Sequence, residues 1–489
     1  MHGPDTDRQR YWSSTLANVY CIFEKLGLGG GGKIKAVYHR LNAIAENNTH
    51  TPVLLNINHD VHQRSVFREL VKLGKIAKGV HYKSVFDAAA EVRETPYPEI
   101  AVPVPDHDYK IVGKARTVYY RDGIVSGLDD FRKGETKSIF TRTLYDKGSP
   151  VRAIHVAEAK PVSITVTSNG NEQQVVNCAQ GRPVSTARYV DGKFLTGLNF
   201  ITGKSFEAED KFFSSFVQIV TQGNNVTFID GVTIPYSPDM IKGSKVLFLH
   251  ADHKAPNGNF VIRAKHAVEN FDGDAIITAT NVHKLALETD FVPNKPIVVL
   301  PHFCDQQRAI TTQRKDLITV SRLDPVGKPI AECIEAFAKI ADEFPDCNYL
   351  IYGEGTGRKP LVGLIKQLKM GGRVKLMGYT TDPMSVFSNA IASLYPTLTE
   401  GFGLAILESL SQDCPVLSYD VDYGPKEMIR NGVNGELVQP GNINQIAQAM
   451  RKILKNPEKY SAGCSDGLDN YSRKKYVENY DALVSSLTH

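Results

Sequence analysis

The sequence predicts an α/β protein built from two domains with parallel sheets, with an antiparallel β module inserted into the first domain. Three observations predict this organisation. Short apolar strands alternate with helices near the start of the chain and again beyond about residue 210, which is typical of parallel sheets. A middle stretch instead alternates apolar and polar residues between tight turns. A chain of 489 residues is also too long for one hydrophobic core.

The first α/β domain is predicted in two pieces. The apolar segment Asn18–Phe23 indicates a strand, a glycine run follows it, and residues 33–47 indicate a helix. A second strand at 52–56 and a helix at 64–73 continue the pattern. After the middle stretch, a helix is predicted at 210–220 and strands at 226–229, 245–249, 275–278 and 297–300. We therefore expect a discontinuous Rossmann-like domain formed by residues 15–80 and 210–303.

The inserted module is predicted over residues 81–209 and the second α/β domain over 304–489. Apolar and polar residues alternate at 110–120, 138–144 and 161–167. The pairs Asp122-Gly123, Asn169-Gly170 and Asp191-Gly192 favour the positive φ angles of tight hairpins. Further on, strands are predicted at 316–320, 349–352, 374–377, 392–395 and 415–419, with a helical tail at 442–487.

Composition narrows the class of protein. Apolar residues make up 42% of the chain and charged residues 22%, and the net charge is only +4, which does not suggest a nucleic-acid-binding protein but tolerates an anionic substrate. The seven cysteines are scattered without a C-x-x-C pair, so neither disulfides nor a zinc site are expected. The polar first residues predict no signal peptide, and no apolar run of ~20 residues is present to suggest a membrane span. We expect a cytoplasmic protein that contacts a membrane at most from its inner face.

The strongest local pattern lies between two glutamates. Glu400 and Glu408 are eight residues apart and enclose Gly401, Phe402, Gly403 and Leu404 at the start of a predicted helix. Eight residues are close to two helical turns, so both carboxylates can face one cleft. The free N–H groups near Gly403 and Leu404, with the helix dipole, suit a phosphate. The alternative is a capped helix whose glutamates are solvated.

Two further segments suit an anion. Arg322 and Lys328 follow the predicted strand 316–320, at the sheet edge where open α/β sheets bind ligands, and can neutralise a diphosphate. In the first domain, the glycine run that includes Gly31 and Gly32 lets backbone amides approach an anion closely. That run lacks the spacing of a dinucleotide fingerprint or an ATP-binding loop, which argues against an NAD-dependent or ATP-hydrolysing enzyme. The alternative for either segment is a solvated surface loop.

His250 ends the predicted strand 245–249 and is followed by His253. A lone H-x-x-H is a weak metal signal, so no metal is expected. We expect instead that His250 hydrogen-bonds a ligand from the side of the first domain. A structural histidine is the alternative.

Several of these segments together resemble one enzyme family. The 400–408 segment resembles the E-x7-E element of the family 4 retaining glycosyltransferases of the GT-B fold, in which two Rossmann-like domains face each other across a cleft. Arg322 and Lys328 resemble its basic pair, although they lie six positions apart, one more than is usual. Gly353-Glu354-Gly355 resembles its G-x-G turn, and Gly378-Tyr379 resembles its nucleotide-base loop.

A narrower likeness rests on the segment 420–425, on residues 250–253 and on the inserted β module. These features are similar to the α-glycosyltransferases of Gram-positive teichoic acids, which act on poly(glycerol phosphate) or poly(ribitol phosphate). They are also similar to the transferase that adds GlcNAc to serine-rich repeat adhesins.

The resemblance implies metal-independent transfer of a sugar from a UDP-sugar, with retention of configuration and no other cofactor. It assigns the first domain to the acceptor and the second to the nucleotide sugar. The resemblance implies that Arg322 and Lys328 stabilise the leaving UDP, helped by the backbone amides of Gly403, Leu404, Gly31 and Gly32. It implies that Glu408 binds the ribose and that Tyr379 contacts uracil. Glu400 and His250 are implied to bind the sugar.

The expected reaction is transfer of glucose or GlcNAc from a UDP-sugar to a polyol-phosphate polymer. An O-GlcNAc transferase acting on a serine-rich repeat adhesin is the second expectation, and a non-catalytic binding partner is the third. Self-association through the inserted β module is also expected.

Overall fold

The computed structural model describes residues 17–23, 26, 32–56, 61–92, 97–112, 116–131, 139–147, 149–157, 160–168, 171–223, 225–231, 241–255, 257–305 and 314–488. The first part of the first domain contains three strands and three helices, which are β1 (Asn18–Phe23), α1 (Gly32–Asn47), β2 (Thr51–Asn56), α2 (Val61–Lys72), β3 (His81–Ser84) and α3 (Val85–Val92). β1 and β2 are almost wholly buried, which explains why they appear in the sequence as continuous apolar runs.

A ten-stranded antiparallel sheet follows, in which each strand pairs with the next along the chain. Its strands are β4 (Tyr109–Val112), β5 (Arg116–Arg121), β6 (Ile124–Phe131), β7 (Ile139–Asp146), β8 (Ser149–Ala157), β9 (Lys160–Ser168), β10 (Glu172–Ala179), β11 (Arg182–Val190), β12 (Lys193–Asn199) and β13 (Lys204–Phe206). The predicted turn pairs at 122–123 and 191–192 have positive φ at both residues, as such hairpins require. The third predicted pair, 169–170, lies outside the described residues.

The chain then returns to the first domain and completes a seven-stranded parallel sheet in the order β17-β16-β15-β14-β1-β2-β3. The added elements are α4 (Glu209–Val220), β14 (Val226–Asp230), β15 (Ser244–Phe248), α5 (Ile262–Asn270), β16 (Ala275–Thr278), α6 (Asn281–Asp290) and β17 (Ile297–Val299). β3 belongs to this sheet because it pairs in parallel with β2, so the boundary predicted at residue 80 falls too early. β1 and β14 are neighbours where the strand order reverses.

The second domain has a six-stranded parallel sheet in the order β20-β19-β18-β21-β22-β23. Its elements are β18 (Asp316–Val320), α7 (Ile330–Ala338), β19 (Tyr349–Tyr352), α8 (Arg358–Gln367), β20 (Val374–Gly378), α9 (Pro383–Ser388), β21 (Ala390–Tyr395), α10 (Leu404–Ser411), β22 (Val416–Tyr419), α11 (Gly424–Met428), β23 (Gly435–Val438), α12 (Ile443–Lys455), α13 (Pro457–Ala462) and α14 (Arg473–Leu487). The strand order reverses between β18 and β21, which are parallel neighbours.

Helix α14 leaves the second domain and packs against α1 of the first. Tyr476, Tyr480, Leu483 and Val484 are buried in the same apolar cluster as residues of β1 and α1. At its start, Arg473 pairs with Glu46 at 2.5 Å. The sequence grouped this helix with the second domain, and its apolar face, buried on the first domain, explains the difference.

The seven cysteines are all free thiols, and all are buried. Across the described ranges, no helix combines the length and the apolar character needed to span a bilayer.

Candidate active site

The two loops that carry the predicted donor site lie side by side at the carboxyl edge of the second sheet. One follows β18 and leads to Lys328, and the other follows β21 and leads to Glu400. The backbone N–H of Leu398 donates to the carbonyl oxygen of Gly327 at 3.1 Å and ties the loops together. This is the reversal point of the strand order, where open α/β sheets bind ligands.

Lys328 and Glu400 form a buried ion pair where these loops meet. The Lys328 ammonium also donates to Thr397 Oγ1 at 2.7 Å and to Tyr395 Oη at 3.1 Å, and the Tyr395 hydroxyl donates to Glu400 Oε1 at 2.7 Å. Burial lowers the pKa of Lys328; the charge of Glu400 opposes this and that of Arg322 adds to it. Because the pKa of Lys328 is lowered overall, its charged form is only partly compensated by its surroundings. A further anion beside it would therefore stabilise the ammonium.

Arg322 is exposed at the edge of the same site. Its guanidinium has no hydrogen-bond or ion-pair partner within the part of the chain that the structure describes. Its charge still acts on the buried Tyr395, whose pKa is raised by burial and by the charges of Glu400 and Glu408 and lowered by Arg322. The Tyr395 hydroxyl therefore contacts Lys328 and Glu400 and is influenced by the charges of Arg322 and Glu408. The fork of Arg322 is available for phosphate oxygens.

Two glycines bring the start of α10 against the first domain. Gly403 has the left-handed φ of 86° and caps the helix, which begins at Leu404. A Cβ atom at Gly401 would lie 2.2 Å from the carbonyl oxygen of His250, so only glycine allows this approach. Phe402 between them is buried. The N-terminus of α10 therefore lies close to the end of β15.

Glu408, also on α10, meets Lys35 in the first turn of α1. Lys35 Nζ lies 2.7 Å from Glu408 Oε1, and the two side chains are 37% and 10% exposed. The pair joins the two domains across the cleft. Gly32 is the first residue of α1, while Gly31 lies outside the described residues, so its predicted contact with the donor stays a prediction.

In the first domain, His250 is held by Asp230, the last residue of β14. His250 Nε2 lies 2.6 Å from Asp230 Oδ1, and Arg40 of α1 donates to the same oxygen at 2.5 Å. Burial by itself would raise the pKa of Asp230, but the charge of Arg40 and the bond to His250 hold it well below its ordinary value. Because an ionised carboxylate only accepts hydrogen bonds, Nε2 carries the proton and the ring orientation is fixed.

His253 belongs to a contact between the domains. Its Nε2 lies 2.8 Å from Asp290 Oδ2, and its Nδ1 lies 3.3 Å from the hydroxyl of Tyr423 in the second domain. The buried His283 stacks on His253 with ring centroids 5.5 Å apart, and burial lowers the pKa of His283 to about 3. In the described portion of the chain, no three His, Cys, Asp or Glu residues are arranged to hold a metal ion.

Tyr379 lies directly after β20, two strands from β18, and is 55% exposed. The Gly353 N–H donates to the carbonyl oxygen of Gly378 at 2.8 Å. A Cβ atom at Gly353 would lie 1.8 Å from the carbonyl oxygen of Ser321, so the glycine-rich turn packs directly on the loop that carries Arg322. Tyr379 thus flanks the site without contacting the Lys328–Glu400 pair in this structure.

Sequence reasoning missed three residues that organise this site, namely Lys35, Asp230 and Tyr395. Asp230 and Tyr395 each end a buried strand at the carboxyl edge of a parallel sheet, and this position was a usable signal. The pairing of Lys35 with Glu408 joins residues 373 positions apart and had no local signal.

Comparison with known proteins supports the architecture. Residues 303–464 match the family described as glycosyl transferases group 1. The chain is 31% identical over 181 residues to a poly(glycerol-phosphate) alpha-glucosyltransferase of Bacillus subtilis, covering 36% of this chain and 27% of that protein. It is 26% identical over 245 residues to a poly(ribitol-phosphate) alpha-N-acetylglucosaminyltransferase of Staphylococcus aureus, covering 48% of this chain and 49% of that protein. The matches thus span from about a quarter to about half of these relatives.

The whole fold resembles that of a solved enzyme. The crystal structure of the pneumococcal O-GlcNAc transferase GtfA in complex with UDP and GlcNAc superposes with a TM-score of 0.78 at 18% identity, covering 97% of this chain and 100% of that one. The predicted GT-B fold is confirmed, with two parallel-sheet domains and an antiparallel module. Residues 303–464 in the second domain are thus similar to the glycosyl transferases group 1, and the chain as a whole has the GT-B fold.

Proposed function

We propose that this chain is a retaining glycosyltransferase that moves glucose or GlcNAc from a UDP-sugar to a polyol-phosphate polymer of the wall teichoic acid type. One observation carries the proposal: the Tyr395 hydroxyl contacts Lys328 and Glu400 beside the N-terminus of α10, and the charges of Arg322 and Glu408 also act on it. Cations, a helix N-terminus and two carboxylates in one cleft match the phosphates and hydroxyls of a nucleotide sugar.

In the proposed mechanism, the bond between the sugar C1 and the diphosphate oxygen breaks, and negative charge develops on UDP. Arg322, Lys328 and the amides at the start of α10 stabilise that charge, so no metal ion is needed. Glu408 binds the ribose hydroxyls, and Tyr379 contacts uracil. The site suits this role because Lys328 is buried and its pKa is already lowered, which makes a new anion favourable.

The acceptor hydroxyl attacks C1 from the face that the diphosphate leaves, and its proton passes to a phosphate oxygen of UDP. Glu400 binds the sugar hydroxyls rather than C1, since its carboxylate is already engaged by Lys328 and Tyr395. His250 holds the sugar from the first domain, with its ring fixed by Asp230. Closure of the cleft around the donor excludes water and limits hydrolysis.

The acceptor is proposed from the relatives. The two matched proteins from Bacillus subtilis and Staphylococcus aureus act on poly(glycerol phosphate) and poly(ribitol phosphate), as their names say. The second candidate is an O-GlcNAc transferase that acts on serine-rich repeat adhesin, and the likeness to GtfA favours it. A non-catalytic role ranks third because the Lys328–Glu400 pair predicted for the donor site forms and the charges of Arg322 and Glu408 act on the same tyrosine, Tyr395.

The test is a matrix of donors and acceptors. UDP-glucose and UDP-GlcNAc are each incubated with poly(glycerol phosphate), poly(ribitol phosphate) or a serine-rich peptide, and UDP release and product anomer are measured. We expect release of UDP with a polyol phosphate and an α-linked product. Glu400→Gln is the inactive control. Release only with the peptide would favour the second candidate, and no release with any pair would contradict the proposed activity.

The proposal includes a cytoplasmic location and self-association through the β module. Strand β4 is one of the two edges of the ten-stranded sheet, and Ile111 and Val112 on it are 58% and 69% exposed. Unpaired, exposed edges promote strand pairing between chains. Light scattering should give a mass above that of the 54.0 kDa monomer, and Ile111→Lys should reduce it. If the unchanged chain has the mass of a monomer, self-association is contradicted.

A further inference from the structure

We propose that Lys35 is a donor-binding residue of the first domain, whose ammonium passes from Glu408 to the diphosphate of the nucleotide sugar when the ribose hydroxyls engage Glu408. The proposal rests on the proposed function and adds to it a cationic contact from the opposite side of the cleft.

The first support is the position of the side chain. Lys35 lies in the first turn of α1, directly after the glycine run, and Glu408 lies on α10, which begins at the proposed phosphate site. Their atoms are 2.7 Å apart. The Glu408 side chain is 10% exposed but that of Lys35 is 37% exposed, so the ammonium is the accessible partner. The flexible four-carbon stem of lysine allows it to move between neighbouring anions.

The second support is the charge of the site. Three cations, Lys35, Arg322 and Lys328, face three carboxylates, Glu400, Glu408 and Asp324, so the charges of the site balance. Without Lys35 the site would carry a net negative charge, which would oppose binding of a diphosphate. Lys328 is held in place by its pair with Glu400 and acts on the diphosphate from there, whereas the more exposed Arg322 and Lys35 can turn toward an incoming anion.

The third support is the chemistry of the exchange. A carboxylate binds two vicinal hydroxyls through its two oxygens, and this competes with a single ammonium for the same lone pairs. The ammonium then lies beside the diphosphate, which is a stronger partner because both of its phosphates are charged. Binding of the nucleotide would thus replace one ion pair between the domains with another.

The experiment compares ligands with and without phosphate. Binding of UDP and of uridine is measured by calorimetry for the unchanged chain and for Lys35→Met, Lys35→Arg and the surface control Lys366→Met. We expect Lys35→Met to weaken UDP binding roughly 10- to 100-fold. Uridine binding should be unchanged or tighter, because Glu408 is released. Lys35→Arg should keep most of the UDP affinity, and Lys366→Met should keep all of it.

The outcomes separate this inference from its alternatives. If Lys35→Met binds UDP as the unchanged chain does, or weakens UDP and uridine equally, Lys35 is only a structural bridge and the inference is overturned. Thermal unfolding of each variant shows whether a loss of binding comes from a loss of folding. If Lys35→Met is unfolded, UDP binding by Lys35→Arg replaces it as the test, and retained affinity is the expected result. If the unchanged chain binds neither ligand, the proposed function itself fails and this inference fails with it.

Discussion

Substitution of Lys328 by methionine is the sharpest test of the donor site. The side chain is 10% exposed, pairs with Glu400 and donates to Tyr395 and Thr397. Methionine keeps the length but removes the charge that would stabilise the leaving UDP. Loss of one such electrostatic contact costs about 3–4 kcal/mol in the transition state, or roughly 10²- to 10³-fold in kcat.

The same substitution should also lower the free energy of unfolding, and the size of that loss can be worked out. Removing one partner of a buried ion pair costs about 3–5 kcal/mol. The Glu400 side chain is 16% exposed and keeps the hydrogen bond from Tyr395, so we expect a free-energy loss near the lower end, about 3 kcal/mol. The double variant Lys328→Met/Glu400→Gln removes both charges, so it should regain stability without regaining activity.

The assay is UDP release under saturating donor and acceptor, alongside urea unfolding of each variant. The pH profile adds a second readout. Because burial lowers the pKa of Lys328, its charge is lost at a lower pH than that of an exposed lysine, and activity should fall as the pH rises toward that pKa. Unchanged turnover in Lys328→Met, or an activity that the double variant restores, would refute the electrostatic reasoning.

Three further predictions follow from neighbouring contacts. Asp230→Asn should lower kcat roughly 10²-fold with little change in KM, because His250, which Asp230 holds, loses its orientation. The control Asp129→Asn breaks a similarly buried Asp–Arg pair in the β module, so it should lower stability without changing kcat. His283 stays neutral when folded but takes up a proton when unfolded, so stability should fall by about 1.4 kcal/mol per pH unit below 6.5. Urea unfolding of His283→Leu should give a flatter pH dependence, and an equal slope would contradict the assignment. Gly401→Ala should abolish transfer because its Cβ meets a first-domain carbonyl oxygen at 2.2 Å, while Gly372→Ala, where the Cβ meets nothing within 4 Å, should be neutral in the same assay.

Much of the fold was predictable because buried parallel strands appear in sequence as continuous apolar runs. β1 and β18 begin and end at the predicted residues, 18–23 and 316–320. β3 and β23 were missed, since the first has the polar sequence HYKS and the second is short and begins with glycine. Both are edge strands, but the edge strands β17 and β20 were predicted, so composition and length rather than position explain the two misses.

Site residues that directly follow strands of one sheet were predictable from the sequence. Contacts between residues of different domains were not. The Lys328–Glu400 pair lies in two loops at one sheet edge, so general rules of α/β sheets bring the two residues together. Lys35 and Arg40, in contrast, reach Glu408 and Asp230 only because α1 packs beside the cleft. Such pairings depend on the relative placement of the domains, for which a single sequence offers no pattern.

The return of α14 to the first domain has a mechanical consequence. The polypeptide passes between the domains twice, once after β17 and once before α14, and Arg473 anchors the second passage to Glu46. The two passages lie close together, since the Cys304 N–H donates to the carbonyl oxygen of Tyr471 at 3.2 Å. We therefore expect the domains to open and close about these passages rather than to twist or slide apart. A spin label on each domain should therefore report a change in separation across the mouth of the cleft, with little change beside α14.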